Sequence, residues 1–485
     1  MRFNYPVIAS FFGYLLLLNG FFMLTCLPFS LYYDQGDHVP IGWAAIVTVS
    51  SGFLLVFFTR NPKSKELKKR DGYLIVTLGW LIMSFFGTLP YLLSGTIPNI
   101  TDAFFETVSG YSTTGATILY DIESVHKGIL FWRSLTQWIG GMGIIVLTIA
   151  ILPLLGIGGM QLFVAEAPGI SPNKLQPRIK ETAKRLWLIY IGLTAIETLL
   201  LWAGEMDFYD SINHAFTTTA TGGFSTKNDN IAYFSSPFTQ YVIILFMFLG
   251  GTNFTIIYLA LHGEFEKAIK NEEFRFYAGF CLAIGLTVAT GILIISNSPV
   301  EKAIRNGLFQ VVSITTTTGY VTADYTAWSS FITVIFFILM FIGGCAGSTS
   351  GGVKIVRHVV LMKNSILEFK RQIHPTAVLP VRLNKQAVDR DITFTVLAFI
   401  MIYISIFALG SIIVSMMGVE FETALGSVAA ALGNVGPGIG SVGPGSNYAH
   451  LPDQVKWLLS GLMILGRLEL FTVLILFTPY FWRRQ

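Results

Sequence analysis

The chain has 485 residues, of which 53% are hydrophobic and 12% charged, with a formal net charge of +4 and a mean hydropathy of +0.63. Soluble domains carry about 25% charged residues, so this composition excludes an ordinary soluble globular protein. Several apolar stretches reach about 20 residues, the length that crosses a hydrocarbon core about 30 Å thick, and the alternating segments of a membrane β-barrel are absent. The sequence therefore predicts a polytopic helical membrane protein.

The basic residues cluster between the apolar stretches, which predicts the orientation of the chain. Of the 32 Lys and Arg residues, 25 lie in six groups: Arg2, six residues in 60–70, five in 174–185, three in 267–275, eight in 354–390, and Arg483 with Arg484. By the positive-inside rule these groups are cytoplasmic. Both termini are then inside, which requires an even number of crossings. The three cysteines, Cys26, Cys281 and Cys345, show no pairing pattern and are predicted to be buried thiols.

Taken in order, the chain begins with two apolar helices, at about 6–33 and 40–60, and a basic loop follows them. The first run is too long for a signal peptide and lacks a small-residue cleavage site, so we expect it to be retained. A helix at 72–95 then precedes a segment of 10 to 12 residues that ends at Thr113. That segment is too short to span a membrane and is predicted to be re-entrant. A helix at 127–155 completes this unit.

The same unit recurs three times, and a fixed period of this kind indicates a repeat architecture. The predicted helices are 186–204, 208–220 and 237–262 in the second unit, 275–296, 300–316 and 328–360 in the third, and 392–417, 420–434 and 454–480 in the fourth. We expect ten crossings and an all-α fold of four helix–pore-helix–filter-loop–helix repeats around one pore. The predicted divisions are 1–70 for two N-terminal helices and a basic loop, 71–185, 186–274 and 275–390 for the first three repeats, and 391–485 for the fourth; the third carries an intramembrane loop and a basic linker.

Each short segment ends in a related tetrapeptide. The four are Thr113-Thr114-Gly115-Ala116, Thr221-Gly222-Gly223-Phe224, Thr317-Thr318-Gly319-Tyr320 and Asn434-Val435-Gly436-Pro437, and their glycines are 108, 96 and 117 residues apart. Irregular backbone at membrane depth survives only where it lines a protein-enclosed or aqueous cavity. Four strands of carbonyl oxygens around one axis can replace the hydration shell of a cation of potassium size. The alternative is that these glycines only let helices pack closely.

These tetrapeptides resemble degenerate forms of the potassium-channel filter Thr-Val-Gly-Tyr-Gly, and four such loops in one polypeptide resemble the Trk/Ktr/HKT superfamily of cation transporters. The resemblance extends to the segments 138–143, 343–352 and 466–469, and two extra N-terminal helices resemble the membrane subunits of bacterial Trk systems. In that family a glycine in all four filter positions accompanies potassium preference, so Gly115, Gly223, Gly319 and Gly436 imply potassium. The chain departs from the pattern at Gly222, at Asn434-Val435 and in lacking the second filter glycine.

The resemblance also implies roles for a glycine-rich run and for an arginine within an apolar stretch. The run from Gly343 to Gly352 holds Gly343, Gly344, Gly347, Ser348, Thr349, Gly351 and Gly352 and should unwind the helix 328–360; the family implies a loop that occludes the pore and moves to open it. Arg467 is a costly charge within an apolar stretch, and the family implies a barrier to cations below the filter. The alternatives are a kink without a gating role for the loop, and for Arg467 an ion pair with Glu469 or Glu197.

The resemblance also implies potassium ions in the pore, no covalently bound cofactor, a homodimer, a cytosolic nucleotide-binding regulatory subunit and a bacterial inner-membrane location. Asp102, Asp210, Glu301 and Glu422 begin the short segments, where they compensate the helix dipole or, alternatively, attract cations. A coupled secondary transporter is the main rival function, although those folds typically have two repeats. An enzyme is not expected, because the seven histidines lack metal-ligand spacing and no catalytic motif appears.

Overall fold

A computed structural model of the chain describes residues 3–60, 69–151, 179–296, 298–388 and 390–483. The fold in these ranges is helical apart from one antiparallel pair of two-residue strands, Arg382–Leu383 with Gln386–Ala387. The α-helices are Tyr5–Leu24, Leu27–Tyr33, His38–Thr59, Lys69–Gly87, Leu89–Ser94, Ile100–Tyr111, Lys127–Ile151, Ile179–Trp202, Phe208–Thr219, Pro237–Gly250, Phe254–Leu261, Phe265–Lys270, Glu272–Ile295, Val300–Thr315, Ser330–Leu339, Ile355–Ile373, Arg390–Met416, Phe421–Gly433, Asp453–Arg467, Leu470–Leu474 and Pro479–Trp482. Short 3₁₀ helices occupy Asn230–Tyr233, Tyr325–Ala327, Gly440–Val442 and Ile475–Phe477.

Within the described ranges, six helices are long and apolar enough to cross a membrane, or eight if each of two sharply bent helix pairs is one span. Of the ten predicted crossings, the helix at 127–155 runs partly outside the described residues, and the one at 328–360 is broken into two helices. The all-α polytopic fold is confirmed, while the number ten stays a prediction. The basic residues at 63–68 and at 174 and 178 also lie outside the described residues.

The first and third helices, Tyr5–Leu24 and His38–Thr59, pack along each other through glycines. A β-carbon added to Gly52 would lie 2.7 Å from the carbonyl oxygen of Gly13. Such close approach is the usual way in which helices associate in a membrane, where lipid offers no hydrophobic driving force between them. This pair borders the bundle, and Tyr111 of a short central helix donates a hydrogen bond to Asn19 at 2.5 Å.

Four short helices lie in the interior and form the centre of the molecule. We call them half-helices one to four: Ile100–Tyr111, Phe208–Thr219, Val300–Thr315 and Phe421–Gly433. Their carboxyl-terminal halves are buried except for Phe216 and Leu308, which are half-buried, although their composition includes Thr, Ser and Gln. Because unpaired polar groups are costly in an apolar surrounding, burial of this kind places the half-helices against protein rather than lipid.

Two helices predicted to be continuous are broken. The predicted helix 237–262 bends by 108° between Gly250 and Phe254, and the predicted helix 454–480 bends by 115° after Arg467. At the first break Asn253 caps the new helix by accepting the backbone N–H of Thr255 at 2.8 Å, a common helix start. At the second, Glu469 has a φ of +67°, which an α-helix does not allow. Both predictions of continuity were wrong, and both breaks lie at the site described next.

Candidate functional site

Each half-helix ends in the same hydrogen-bonded turn. The N–H groups of Thr114, Gly222, Thr318 and Val435 donate to carbonyls five residues earlier, at 2.9, 2.8, 2.8 and 2.9 Å. The residue before each of them has a left-handed φ, which is 53° at Thr113, 53° at Thr221, 56° at Thr317 and 54° at Asn434. This is a Schellman-type helix end. The tetrapeptides predicted from the sequence are therefore four copies of one backbone structure.

The four turns meet around one axis through their glycines. A β-carbon added to Gly115 would lie 2.2 Å from Gly222 O, and one added to Gly223 would lie 1.9 Å from Thr318 O. Likewise, a β-carbon added to Gly319 would lie 2.0 Å from Val435 O, and one added to Gly436 would lie 2.6 Å from Thr114 O, which closes the ring. Each turn thus abuts the next in the order one, two, three, four, one. All four glycines also have positive φ values, between 76° and 95°, which side-chain-bearing residues rarely adopt.

All twelve residues predicted for the filter lie in this ring of turns: Thr113, Thr114, Gly115, Thr221, Gly222, Gly223, Thr317, Thr318, Gly319, Asn434, Val435 and Gly436. Two of their side-chain oxygens, Thr113 Oγ1 and Asn434 Oδ1, are buried without a hydrogen-bond partner among the described residues. Buried polar atoms are rarely left unpaired. Both atoms belong to the left-handed residue of their turn.

The glycine-rich segment predicted as a gating loop interrupts its helix and contacts the ring. The chain between Leu339 and Ile355 is not helical. Gly351 N donates to Thr317 Oγ1 at 2.6 Å, and Thr349 Oγ1 lies 3.0 Å from both Thr219 O and Gly250 O. Cys345 N donates to Gly251 O at 2.8 Å. The break after Gly250 therefore has a physical reason, because the carbonyls that it frees bind the glycine-rich segment.

Arg467 bridges this segment and the helix Lys127–Ile151. Its guanidinium donates to Thr349 O at 2.6 Å, to Gly141 O at 2.9 Å and to Gly140 O. Glu469 pairs with Arg357 instead, and Glu197 carries no hydrogen bond within the described part of the chain. The three acceptors of the Arg467 guanidinium named above are all backbone carbonyls. The predicted filter, the predicted gating segment and Arg467 form one continuous site.

A buried ion pair behind the first two turns was missed by the sequence analysis. Arg133 Nε lies 2.7 Å from Glu106 Oε1, and the two side chains are 2% and 0% exposed. Glu106 accepts the N–H of Ile118 at 2.9 Å, and Arg133 donates to Ser225 O at 3.0 Å. The pair thus connects the chain leaving turn one with the chain leaving turn two. Arg133 appeared in the sequence only as a basic residue outside the cytoplasmic groups, a weak indication of its role.

Other side chains that hold the turns were also missed. Gln137 contacts turn two, donating to Gly222 O at 2.6 Å and accepting from Phe224 N at 3.1 Å. Tyr448 donates to Gly436 O at 2.7 Å, and Ser313 donates to Tyr320 O at 2.7 Å. Gln137 lies 85 residues from Gly222, so no local sequence pattern identifies that contact.

The carboxylates that begin the half-helices are mostly paired with cations. Asp102 lies 2.6 Å from Lys456 Nζ, Asp210 lies 3.1 Å from Lys227 Nζ, and Glu301 lies 2.8 Å from Arg305 Nε. Glu422 has no ion pair among the residues that the structure describes. Three of the four carboxylates are therefore locally neutralised, which weakens any field that they would present to cations.

Two polar loops on the same side as these carboxylates are joined by Asn228. Its side-chain amide donates to Asp121 Oδ1 at 2.9 Å, and its side-chain oxygen accepts from Ile122 N at 2.7 Å. The hydrogen bond from Asn228 lowers the pKa of the Asp121 carboxyl, so Asp121 stays charged at neutral pH. No group of three or more His, Cys, Asp or Glu side chains suited to a metal ion occurs in the described ranges.

Comparison with known proteins identifies the family. A family model described as "TrkH: Cation transport protein" matches residues 42–484. The Trk system potassium uptake protein TrkH of Escherichia coli is 41% identical over 486 residues, covering 99% of this chain and 100% of that protein. Its counterpart from Halomonas elongata is 38% identical over 481 residues, covering 99% of both chains.

A solved structure agrees with these relatives. The crystal structure of the potassium transporter TrkH from Vibrio parahaemolyticus has a TM-score of 0.89 and 38% identity, with 100% of both chains covered. The predicted resemblance to the Trk/Ktr/HKT superfamily is confirmed, and so is the prediction that the chain is not an enzyme, because these relatives are transporters. The chain belongs to the TrkH family of cation transport proteins.

Proposed function

We propose that this protein takes up potassium across the cytoplasmic membrane through a channel-like pore whose selectivity filter is the ring of four turns. The observation that carries the proposal is the closed series of contacts from each glycine to the carbonyl of the next turn. Rings of backbone carbonyls select cations by replacing the water of hydration. The relatives are named as potassium uptake proteins, which indicates potassium as the transported cation.

The backbone of the turns suits this role. In each turn a left-handed residue and a positive-φ glycine flank one residue of ordinary conformation. In an extended strand successive residues face opposite sides, whereas φ values of alternating sign bring successive carbonyls toward the same side. The half-helices add to this, since each directs its carboxyl end, with about half a negative charge, at the ring.

The glycine-rich segment and Arg467 are proposed as the gate and the barrier. The segment binds Thr317 of turn three and lies against Thr219 at the end of half-helix two. Arg467 holds Thr349 of the segment and adds a positive charge beside it. A fixed cation close to the pathway disfavours passage of potassium by Coulomb repulsion, so the arrangement described here corresponds to a closed pathway.

The assembly and location remain inferences from the family resemblance. We infer a homodimer in the bacterial inner membrane, with both termini cytoplasmic and a nucleotide-binding regulatory subunit docked on the basic loops. A coupled secondary transporter is the alternative, which the test below separates from a pore.

The test is cation flux into proteoliposomes that hold the purified protein, with potassium, rubidium, sodium and choline supplied in turn. Gly115→Ser should lower the potassium-to-sodium flux ratio, because the added side chain meets Gly222 O. Arg467→Ala should raise downhill potassium flux by removing the charge and the three hydrogen bonds. Gly279→Ser is the matched control, since no atom lies within 4 Å of a β-carbon at that position.

Two results would count against the proposal. Equal flux of all cations, unchanged by Gly115→Ser, would reject the filter. Potassium flux that occurs only with an imposed proton gradient, in the parent and in Arg467→Ala alike, would indicate a coupled transporter instead of a gated pore.

A further inference from the structure

We propose that Gln137 is a positioning residue for the second turn, where its carboxamide replaces the threonine hydroxyl that turns one and three carry. The inference rests on the proposed filter and assigns part of its selectivity to a side chain outside the four tetrapeptides. It also accounts for Gly222, which is one of the departures of this sequence from the filter pattern.

Turns one and three contain a matched pair of hydroxyls. Thr114 Oγ1 lies 2.7 Å from Ser112 Oγ, and Thr318 Oγ1 lies 2.8 Å from Thr316 Oγ1. All four residues are buried. The corresponding positions of turn two are Ala220 and Gly222, so neither hydroxyl is present there.

The Gln137 carboxamide occupies the space of the missing side chain. A β-carbon added to Gly222 would lie 2.4 Å from both Cδ and Oε1 of Gln137 and 2.8 Å from its Nε2. Real β-carbons do not approach other atoms so closely, and Gln137 is itself fully buried. Gly222 is not among the residues with positive φ. Glycine is therefore required at position 222 because Gln137 occupies the space of a side chain, and not because of the backbone conformation.

The carboxamide also fixes the backbone on both sides of Gly223. Its Nε2 donates to Gly222 O at 2.6 Å, and its Oε1 accepts from Phe224 N at 3.1 Å. The carbonyls of Thr114, Thr318 and Val435, which occupy the equivalent places in the ring, accept no backbone or side-chain hydrogen bond among the described residues. The ring is consequently asymmetric, with one carbonyl held by an amide N–H and three available to a cation.

The experiment is a double-mutant cycle in the proteoliposome flux assay, with the potassium-to-sodium flux ratio as the readout. Gln137→Ala should lower the ratio about three- to tenfold, the range expected for one net hydrogen bond. Gly222→Thr should lower it at least as much, because the new side chain collides with Gln137. The double variant should have a higher ratio than Gly222→Thr alone, since the alanine leaves room for a threonine like those of turns one and three.

Gln137→Leu and Gln137→Glu keep the experiment informative if Gly222→Thr does not fold. Leucine removes both hydrogen bonds with little change of size, while glutamate keeps an acceptor for Phe224 N but loses the donor to Gly222 O. Both variants should lower the potassium-to-sodium flux ratio. Their thermal unfolding temperatures should fall by different amounts. Gly279→Thr controls for an added threonine, since its β-carbon position is open.

Failure of this inference is distinguishable from failure of the filter. If Gly115→Ser changes the ratio but Gln137→Ala and Gln137→Leu leave it at the parent value, Gln137 has only a packing role and the inference is overturned. The same holds if the double variant is no better than Gly222→Thr. If Gly115→Ser itself changes nothing, the filter proposal fails and this inference fails with it.

Discussion

Three of the four left-handed residues in the turns are threonines, with φ between 53° and 56°. A β-branched residue in this region is a genuine outlier, because its side chain crowds the backbone. Each such residue costs about 1–3 kcal/mol and persists only where the surroundings enforce it. Threonine at this position is therefore explained by its oxygen atoms and not by the turn, for which glycine or asparagine would be the easier residue.

The glycine two residues after each left-handed residue is constrained by contact with the next turn as well as by its own backbone conformation. Gly319→Ala should abolish potassium-selective flux, because its β-carbon would lie 2.0 Å from Val435 O and a positive φ costs an L-residue about 1–2 kcal/mol. The measurement is flux together with thermal unfolding in detergent. Gly279→Ala is the control and should behave like the parent protein. Normal selectivity in Gly319→Ala would show that the turns do not meet as described.

A second residue-level prediction concerns the buried ion pair behind turns one and two. Glu106→Gln leaves the buried Arg133 without its charge partner, and breaking a buried pair in this way costs about 3–5 kcal/mol. We expect a large drop in the thermal unfolding temperature. Replacing Arg133 by Met in the same protein should recover part of the lost stability, because no uncompensated charge then remains. A double variant less stable than Glu106→Gln would contradict this account.

The half-helices, their turns and the interruption at 343–352 could be predicted from the sequence, whereas the breaks after Gly250 and after Arg467 could not. A segment of 12 residues that ends in a glycine turn is too short to span a membrane, and that limit applies without knowledge of any neighbour. The break after Gly250 depends on the glycine-rich segment about 100 residues later, whose N–H groups bind the freed carbonyls. Gln137 escaped prediction for the same reason, since Gly222 lies 85 residues away.

The glycine-rich segment gives a prediction about opening. Thr349→Val keeps the shape of the side chain but removes its donor to Thr219 O and Gly250 O. The contacts that hold the segment against the ring are then weaker, and downhill potassium flux should rise by about two- to tenfold if one net hydrogen bond is lost. The assay is potassium flux into proteoliposomes at a fixed gradient.

Thr287→Val is a suitable control for this experiment. Thr287 is exposed, and among the described residues its hydroxyl donates only to Ala283 O of its own helix. The potassium flux through the Thr287→Val variant should equal that through the parent protein. A decrease of flux in Thr349→Val, with unchanged thermal stability, would argue that the segment assists conduction instead of blocking it.

In the whole molecule, the charge distribution and the order of the repeats together predict the orientation in the membrane. If each of the four units starts and ends inside, the half-helices all enter from outside and direct their carboxyl ends at one ring. The paired carboxylates Asp102, Asp210 and Glu301 and the loop around Asp121 then belong to the outer face. Under the same condition, the linker with the strand pair at 382–387 belongs to the cytoplasmic face, where its basic residues are expected.

Cysteine labelling tests this orientation directly. The native cysteines Cys26, Cys281 and Cys345 are buried, so a membrane-impermeant maleimide should not modify the folded parent in intact cells or in inverted vesicles. Thr376 and Ser124 are exposed, and the four-repeat topology predicts that Thr376 lies on the cytoplasmic face and Ser124 on the outer face. Thr376→Cys should react only in inverted vesicles, and Ser124→Cys only in intact cells. Reaction of both from the same side would require an even number of crossings between them. It would overturn the four-repeat topology, which places five crossings between residues 124 and 376: 127–155, 186–204, 237–262, 275–296 and 328–360.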